Sequence, residues 1–410
     1  LPGGFFDWAE ICFSVPEFVH YSVKGVIHIL TATTEDGTPV VLDTSLSRDM
    51  LTAWKTSGRF QCPQCKEPVL LKAGTVRIPH FAHRPGSDCQ SRFSEGESAA
   101  HLSGKQLLYG LFRRLGKQPV LEPLLTELAQ RPDLLIIHGN DTIPIEFQCS
   151  RIPPDLKDSR SAGYRSVGMT PIWLLRTPET SEGRAEGVDL YSFSSFHQQF
   201  ITTSLSPGAS LLTLSPNTSA FHYFTHFLHI EGNRYLCGHR KLPVHLQTFP
   251  FARPKPPSAE TAARYSYLYR KHRKAFLQRS LFISRKGVQD PFLRNCYRMK
   301  TAPSAMPWHI GVPVTGNSSF AVHDCVWQLD LTVSMKNWRL PPASIPLRYL
   351  RQFTARYSGS QEAQLDACRN YLKFLRRIRQ PDKTLLPEKE AEKEIIQLIA
   401  DGFLANQIEN

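Results

Sequence analysis

Residues 131–148 read RPDLLIIHGNDTIPIEFQ: two apolar runs, RPDLLII and TIPIEFQ, meet at the turn His138-Gly139-Asn140-Asp141. Short apolar runs divided by Gly and Asn predict a β-hairpin. On its N-terminal side, ESAAHLSGKQLLYGLFRRLG (97–116) carries Leu107, Leu108, Leu111, Phe112 and Leu115 at helical spacing, with Gly116 set to cap the end. PVLEPL (119–124) predicts a short strand between that helix and the hairpin. On the C-terminal side, the stretch 154–167 is rich in Asp, Lys and Arg and suits a second helix, while PIWLL (171–175) suits a buried strand. The expected order is helix, three-strand meander, helix, strand, an α/β (α+β) core.

That order decides where the polar residues meet. Asp133 opens one hairpin strand, and Glu146 and Gln148 lie near the end of the other. Side chains two apart on a strand share a face, so Glu146 and Gln148 point together while Phe147 points into the opposite layer. Two carboxylates and an amide on one sheet edge make a cradle for Mg²⁺ (or Mn²⁺), since Mg²⁺ takes oxygen ligands and keeps several waters. Such an ion polarises a phosphodiester and lowers the pKa of an attacking water. Glu97, His101 and Lys105 follow at i, i+4 and i+8 and line one face of the first helix. They read either as an extension of the site, with Glu97 a further metal ligand, or as a surface ladder of weak ion pairs. Arg160 and Tyr164, one turn apart on the second helix, suit a DNA phosphate contact or an ordinary half-exposed face.

The arrangement resembles the PD-(D/E)xK nucleases, which have this core with Asp on one hairpin strand and Glu-x-Lys on the next. Here the motif reads Pro132-Asp133 and Glu146-Phe147-Gln148. More narrowly, the chain resembles the competence CoiA-like family through FQCPQC (60–65), PHFAH (79–83), ESAAHLSGK (97–105), QRPDLLI (130–136), IEFQCS (145–150) and PIWLL (171–175), in that order. The resemblance implies a role in genetic transformation, with incoming single-stranded DNA handled before homologous recombination, and a recombinase or other competence proteins as partners. The departure is Gln148, where the wider family has Lys. A neutral amide takes up no proton at physiological pH. Either the metal alone activates water, or His101 or Lys105 assists, or turnover is lost and the domain is a non-catalytic DNA-binding module that helps load a recombinase.

A chain of 410 residues, 41% of them hydrophobic, allows two or three domains with real cores. A net charge of +13 favours an anionic partner, nucleic acid being the commonest. No apolar run reaches bilayer length and the N-terminus lacks a signal-peptide pattern, so a cytoplasmic protein without a membrane span is expected. Nine cysteines, mostly far apart, argue against a disulfide framework. Cys62, Cys65 and Cys89 do cluster, with His80 and His83 between them, and Zn²⁺ takes four N or S ligands when structural. Five candidates compete for four places. The preferred set is Cys62, Cys65, His83 and Cys89, with His80 the rival for one place; the alternative is a group of small buried residues without zinc.

The expected organisation is a leader over residues 1–29, read as an upstream extension or a poorly ordered tail, a zinc-finger-like module over 30–94, the nuclease-like domain over 95–178, a linker with short helices over 179–257 and a basic helical domain over 258–410. SAFHYFTHFLHI (219–230) shows aromatics at helical spacing. Within the last domain, Arg270, Lys271, Arg273, Lys274 and Arg279 interleave with Tyr265, Tyr267 and Tyr269. That pattern suits single-stranded DNA, with phosphates on the cations and bases on the rings, or a solvated helix face. A second basic cluster gathers Lys373, Arg376, Arg377 and Arg379. No Gly-rich phosphate loop is present, so ATP hydrolysis is not expected.

Overall fold

A computed structural model of the protein describes residues 28–75, 77–84, 89, 98–202, 209–283, 287–379 and 387–400. Glu97 and all of the expected leader before His28 lie outside the described residues. The chain divides into two compact units, Leu1–Leu42 with Ser47–Glu97, and Asp43–Leu46 with Ser98–Asn410. Among the described residues no helix is long and apolar enough to cross a membrane.

The described residues of the first unit form one sheet with a helix. Its strands are β1 (His28–Ile29), β2 (Thr31–Thr34), β3 (Pro39–Val41), β4 (Phe60–Gln61), β5 (Pro68–Lys72) and β6 (His80–His83), in the order β1-β6-β5-β4-β2-β3. Helix α1 (Arg48–Ser57) starts at Ser47, whose Oγ accepts from the Met50 amide at 3.2 Å, and ends at Gly58. β5 alternates as a half-buried strand should: Val69 and Leu71 point into the core and Leu70 out. His28 and Ile29, counted with the leader from sequence, instead pair with Ala82 and Phe81 of β6, and Ile29 is fully buried.

The second unit begins with α2 (Ala99–Arg114), capped by Ser98 and buried through Leu108, Leu111 and Phe112. Then come β7 (Val120–Leu121), β8 (Leu134–His138), β9 (Asp141–Gln148), α3 (Pro154–Ser166) and β10 (Ile172–Arg176), the order expected from sequence. β8 and β9 form the hairpin about Gly139, whose φ of 62° is the left-handed value that Gly adopts without penalty. β9 and β10 run parallel across the α3 crossover.

The sheet then continues where a linker with short helices was expected. After α4 (Glu179–Glu182) and β11 (Gly187–Ser192) come α5 (Ser195–Gln198), β12 (Ser210–Ser215), β13 (Ala220–Glu231) and β14 (Arg234–Pro243). Eight strands result, in the order β11-β14-β13-β12-β10-β9-β8-β7. The aromatic run in β13 looked helical because both of its faces are covered. Phe224 and Phe227 enter one core, while Leu228 and Ile230 enter another, and a bulge between Thr225 and Leu228 breaks the two-residue alternation.

The C-terminal region is helical, as expected: α6 (Ala259–Ile283), α7 (Pro291–Arg298), α8 (Asp324–Trp338), α9 (Leu347–Thr354), α10 (Gln361–Arg377) and α11 (Glu388–Ala400). It shares a core with the sheet, since Trp327 and Tyr371 cluster with Leu228 and Leu236. Tyr265 and Tyr269 of α6 are buried in this core, so they offer no stacking surface. Tyr269, Asn317 and Trp327 all donate to the buried Asp324 carboxylate. Burial raises the Asp324 pKa from 3.8 to about 6 against the pull of those donors. A raised folded-state pKa means stability that is present below the unfolded value and is lost as pH rises through about 6. Buried neutral His323, held well below its ordinary value by burial, works in the opposite sense. The expected result is therefore a difference: from pH 5 to pH 7 the wild type should lose roughly 1 kcal/mol relative to Asp324→Asn in denaturant titrations.

Candidate active site and metal cluster

In the first unit the turn after β4 carries Cys62 and Cys65, β6 ends in His83, and Cys89 follows. Their ligand atoms all lie within 4.8 Å of one another, with Cys65 Sγ 3.4 Å from His83 Nε2. The turn is a knuckle: Lys66 N donates to Cys62 O, Cys62 N to Glu67 O, and the amides of Gln64 and Cys65 point at the Cys62 sulfur. Lys66 takes φ 61° to close it. Burial pushes the Cys62 thiol up despite those amides. Cys89 is pushed up to about 12 by burial and by the thiols of Cys65 and Cys62 beside it. Three thiols and an imidazole gathered this closely suit a bound cation, and Cys₃His is a structural zinc set. His80, the rival ligand, is not in the cluster: its Nδ1 lies 2.7 Å from the Ile78 carbonyl and its ring packs on His28.

In the second unit the hairpin sets the acids. Leu134 pairs with Ile145, so Asp133, just before β8, falls beside Glu146. Asp133 Oδ2 accepts from the Phe147 amide at 2.8 Å and lies 3.1 Å from His101 Nε2, while Oδ1 is 3.8 Å from Lys105 Nζ. Helix α2 reaches this point because Gly104 faces Phe147: a Cβ there would sit 2.0 Å from the ring. His101 and Lys105 flank Gly104 and so lie over Asp133. Burial alone would raise the Asp133 carboxyl, but the charge and hydrogen bond of His101, the charge of Lys105 and the Phe147 amide together hold it well below the usual carboxylate range.

Glu146 has its own partners. Arg160 and Tyr164 of α3 both bond Oε1, and Arg160 also donates to the Arg131 carbonyl at 3.2 Å. Burial raises the Glu146 carboxyl and the nearby Asp133 charge adds to this, while Arg160 opposes them. Burial works against the Arg160 charge, but Glu146, Tyr164 and Asp133 together hold the guanidinium firmly protonated. Tyr164 is fully buried and its hydroxyl is raised, by burial first and then by the Glu146 charge. Neither Arg160 nor Tyr164 therefore forms the exposed phosphate-contacting face suggested by sequence; both turn inward onto Glu146.

One member of this network went unnoticed in the sequence. Glu122, at the end of β7, is buried with φ 51°, pairs with Lys105 and donates its amide to the Asp133 carbonyl. Its only signal was a lone acid inside the apolar stretch PVLEPL. Lys105 is thus a buried cation, 1% exposed, between two carboxylates rather than part of a surface ladder. Gln148 is half-buried, and its Nε2 donates to the Ser150 carbonyl at 3.1 Å. Among the described residues, the acids Glu122, Asp133 and Glu146 meet the bases His101, Lys105 and Arg160. Among the described residues, only the Cys–His set gathers three or more His, Cys, Asp or Glu side chains tightly enough to share one ion.

Two family models match the chain. Residues 97–253 match the competence protein CoiA nuclease-like domain, and residues 43–92 match the competence protein CoiA N-terminal domain. The chain is also 28% identical to the competence protein CoiA of Bacillus subtilis (strain 168) over 371 residues, covering 85% of this chain and 92% of that protein. The first match holds the Asp133–Glu146 network and the second holds the Cys–His cluster.

Proposed function

Since the chain belongs to the competence protein CoiA family, we propose that it processes DNA during genetic transformation and hydrolyses phosphodiester bonds with a divalent ion at a PD-(D/E)xK-type site. The observation that carries this reading is the pairing of β8 with β9, which sets the Asp133 and Glu146 carboxylates side by side within the nuclease-like match. Anionic oxygen donors on neighbouring strand positions suit Mg²⁺ or Mn²⁺ in kind, and Glu146 would exchange Arg160 for the ion. When bound, such an ion supplies Lewis-acid polarisation of the phosphodiester and acidifies a water. The chain's own residues do the rest. Asp133 orients His101 through the Nε2 contact, and Lys105 keeps positive charge beside Asp133. Gln148 carries no charge and serves by positioning water or phosphate.

Labelled single- and double-stranded DNA with added Mg²⁺ or Mn²⁺ tests this reading. The wild type is expected to cut and Asp133→Asn to lose cutting by two orders of magnitude or more, with binding retained. Undiminished cutting by Asp133→Asn overturns the assignment. A second reading is favoured by the hold of Arg160 and Tyr164 on Glu146 and by the neutral Gln148. In it the domain grips DNA without cutting and assists a recombinase, and neither protein cleaves at any metal concentration.

A further inference from the structure

Helix α6 sorts its cations by face. Of its 25 residues, Glu260 in the first turn is the sole acid, against six Arg or Lys. Two of those cations serve the fold. Arg273 donates to the carbonyls of Ile310, Met306 and Pro307, and Arg279 pairs with Glu231. Tyr265, Leu268, Tyr269 and Leu277 fill the core from the same side. The opposite face is exposed at Arg264, Tyr267, Lys271, Lys274, Gln278 and Phe282, steps of three and four residues that form one stripe along the helix. Arg270 is exposed beside it.

A solvated face accounts for the lysines but not for the rings. Tyr267 is 52% exposed and Phe282 is 87% exposed, the latter among the most water-exposed large apolar side chains of the described residues. Arg264 lies over the Tyr267 ring at 5.6 Å, pre-setting a cation beside a stacking platform. Fifteen residues separate the two rings, about 22 Å along a helix, with Lys271 and Lys274 between them. Cations tracking phosphates with aromatic platforms for unstacked bases is the recognition chemistry of single strands, whose bases are open to stacking as those of a duplex are not.

We infer that the exposed α6 stripe of Arg264, Tyr267, Lys271, Lys274 and Phe282 is a docking surface for single-stranded DNA, separate from the Asp133–Glu146 network. The strand's phosphates lie along Lys271 and Lys274, and bases stack on Tyr267 and Phe282. The choice of DNA over RNA rests on the function proposed above; the single-strand geometry does not.

The test is fluorescence anisotropy of the full chain with a labelled oligothymidylate, without added divalent metal so that cutting plays no part. Lys271→Gln with Lys274→Gln is expected to weaken binding about tenfold and to flatten the salt dependence by about 1.4, since each single-strand phosphate contact contributes about 0.7 to the slope. Phe282→Ser is expected to weaken binding by about tenfold with the slope unchanged. Lys336→Gln, an exposed cation on α8, should change nothing. Wild-type affinity in both stripe variants overturns the proposal, as does an equal loss in Lys336→Gln. Tighter binding of a duplex overturns the single-strand assignment, and equal or tighter binding of an oligouridylate overturns the choice of DNA. A protein that binds through the stripe yet never cleaves refutes only the hydrolytic reading.

Discussion

One zinc ion per chain is expected to copurify with the protein, and Cys62→Ser is expected to lose it together with the order of the first sheet. The knuckle joins β4 to β5, and the cluster ties its two cysteines to His83 at the end of β6 and to Cys89 beyond it. β4 has two residues and β1 has two, so backbone pairing contributes little to holding these edges in register. Structural zinc binding amounts to roughly 10–16 kcal/mol in small modules, whereas whole domains are stable by only about 5–15 kcal/mol. Losing the ion therefore exceeds what the apolar core around Ile29, Phe60 and Phe81 can offset. Metal content measured with a colorimetric chelator, and hydrogen exchange of the β4–β6 amides, check the prediction. His80→Ala is the informative companion: because His80 bonds the Ile78 carbonyl and lies outside the cluster, this variant should keep its zinc. A Cys62→Ser protein with native exchange in β4–β6 would contradict the argument.

The parts of this chain that were legible in sequence are those where one residue type has one plausible job. Two apolar runs about a Gly-Asn turn have few alternatives to a hairpin, and the hairpin alone brought Asp133 beside Glu146. Tight cysteine spacing was equally readable. The preference for His83 over His80 agrees with the cluster, although all four residues of β6 are buried and no alternation marks which ring faces the sulfurs. The polar face of α3 misled for a related reason. A helix that turns Arg160 and Tyr164 inward onto a buried Glu146 has the same composition as one that turns them to water, and only the partner strand distinguishes the two. β13 was hidden by burial on both faces, although the two-residue Gly232-Asn233 link to β14, with Gly232 at φ 57°, was a hairpin signal in plain view.

Removing Glu146 is expected to abolish cleavage and destabilise the protein at once, and separating the two effects decides what this carboxylate is for. In Glu146→Ala the Arg160 guanidinium, with a side chain only 15% exposed, is left facing a cavity beside the Tyr164 hydroxyl. Breaking one side of a buried pair costs about 3–5 kcal/mol, while replacing all the partners by apolar groups of similar size is often neutral or stabilising. Glu146→Leu combined with Arg160→Met and Tyr164→Phe should thus recover most of the lost stability in denaturant titrations. If the carboxylate holds the metal, the recovered protein still fails to cut DNA by two orders of magnitude or more. Cleavage that returns with stability would make Glu146 a packing residue and leave Asp133 to carry the chemistry. Arg160→Met alone sharpens the choice. It removes the cation that competes with a metal at Oε1, so a hydrolytic site should reach half-maximal cutting at lower Mg²⁺, about tenfold lower if one charge-assisted contact is relieved. A site built to grip DNA should instead stay silent at every Mg²⁺ concentration, because freeing Glu146 exposes an anion without creating a nuclease.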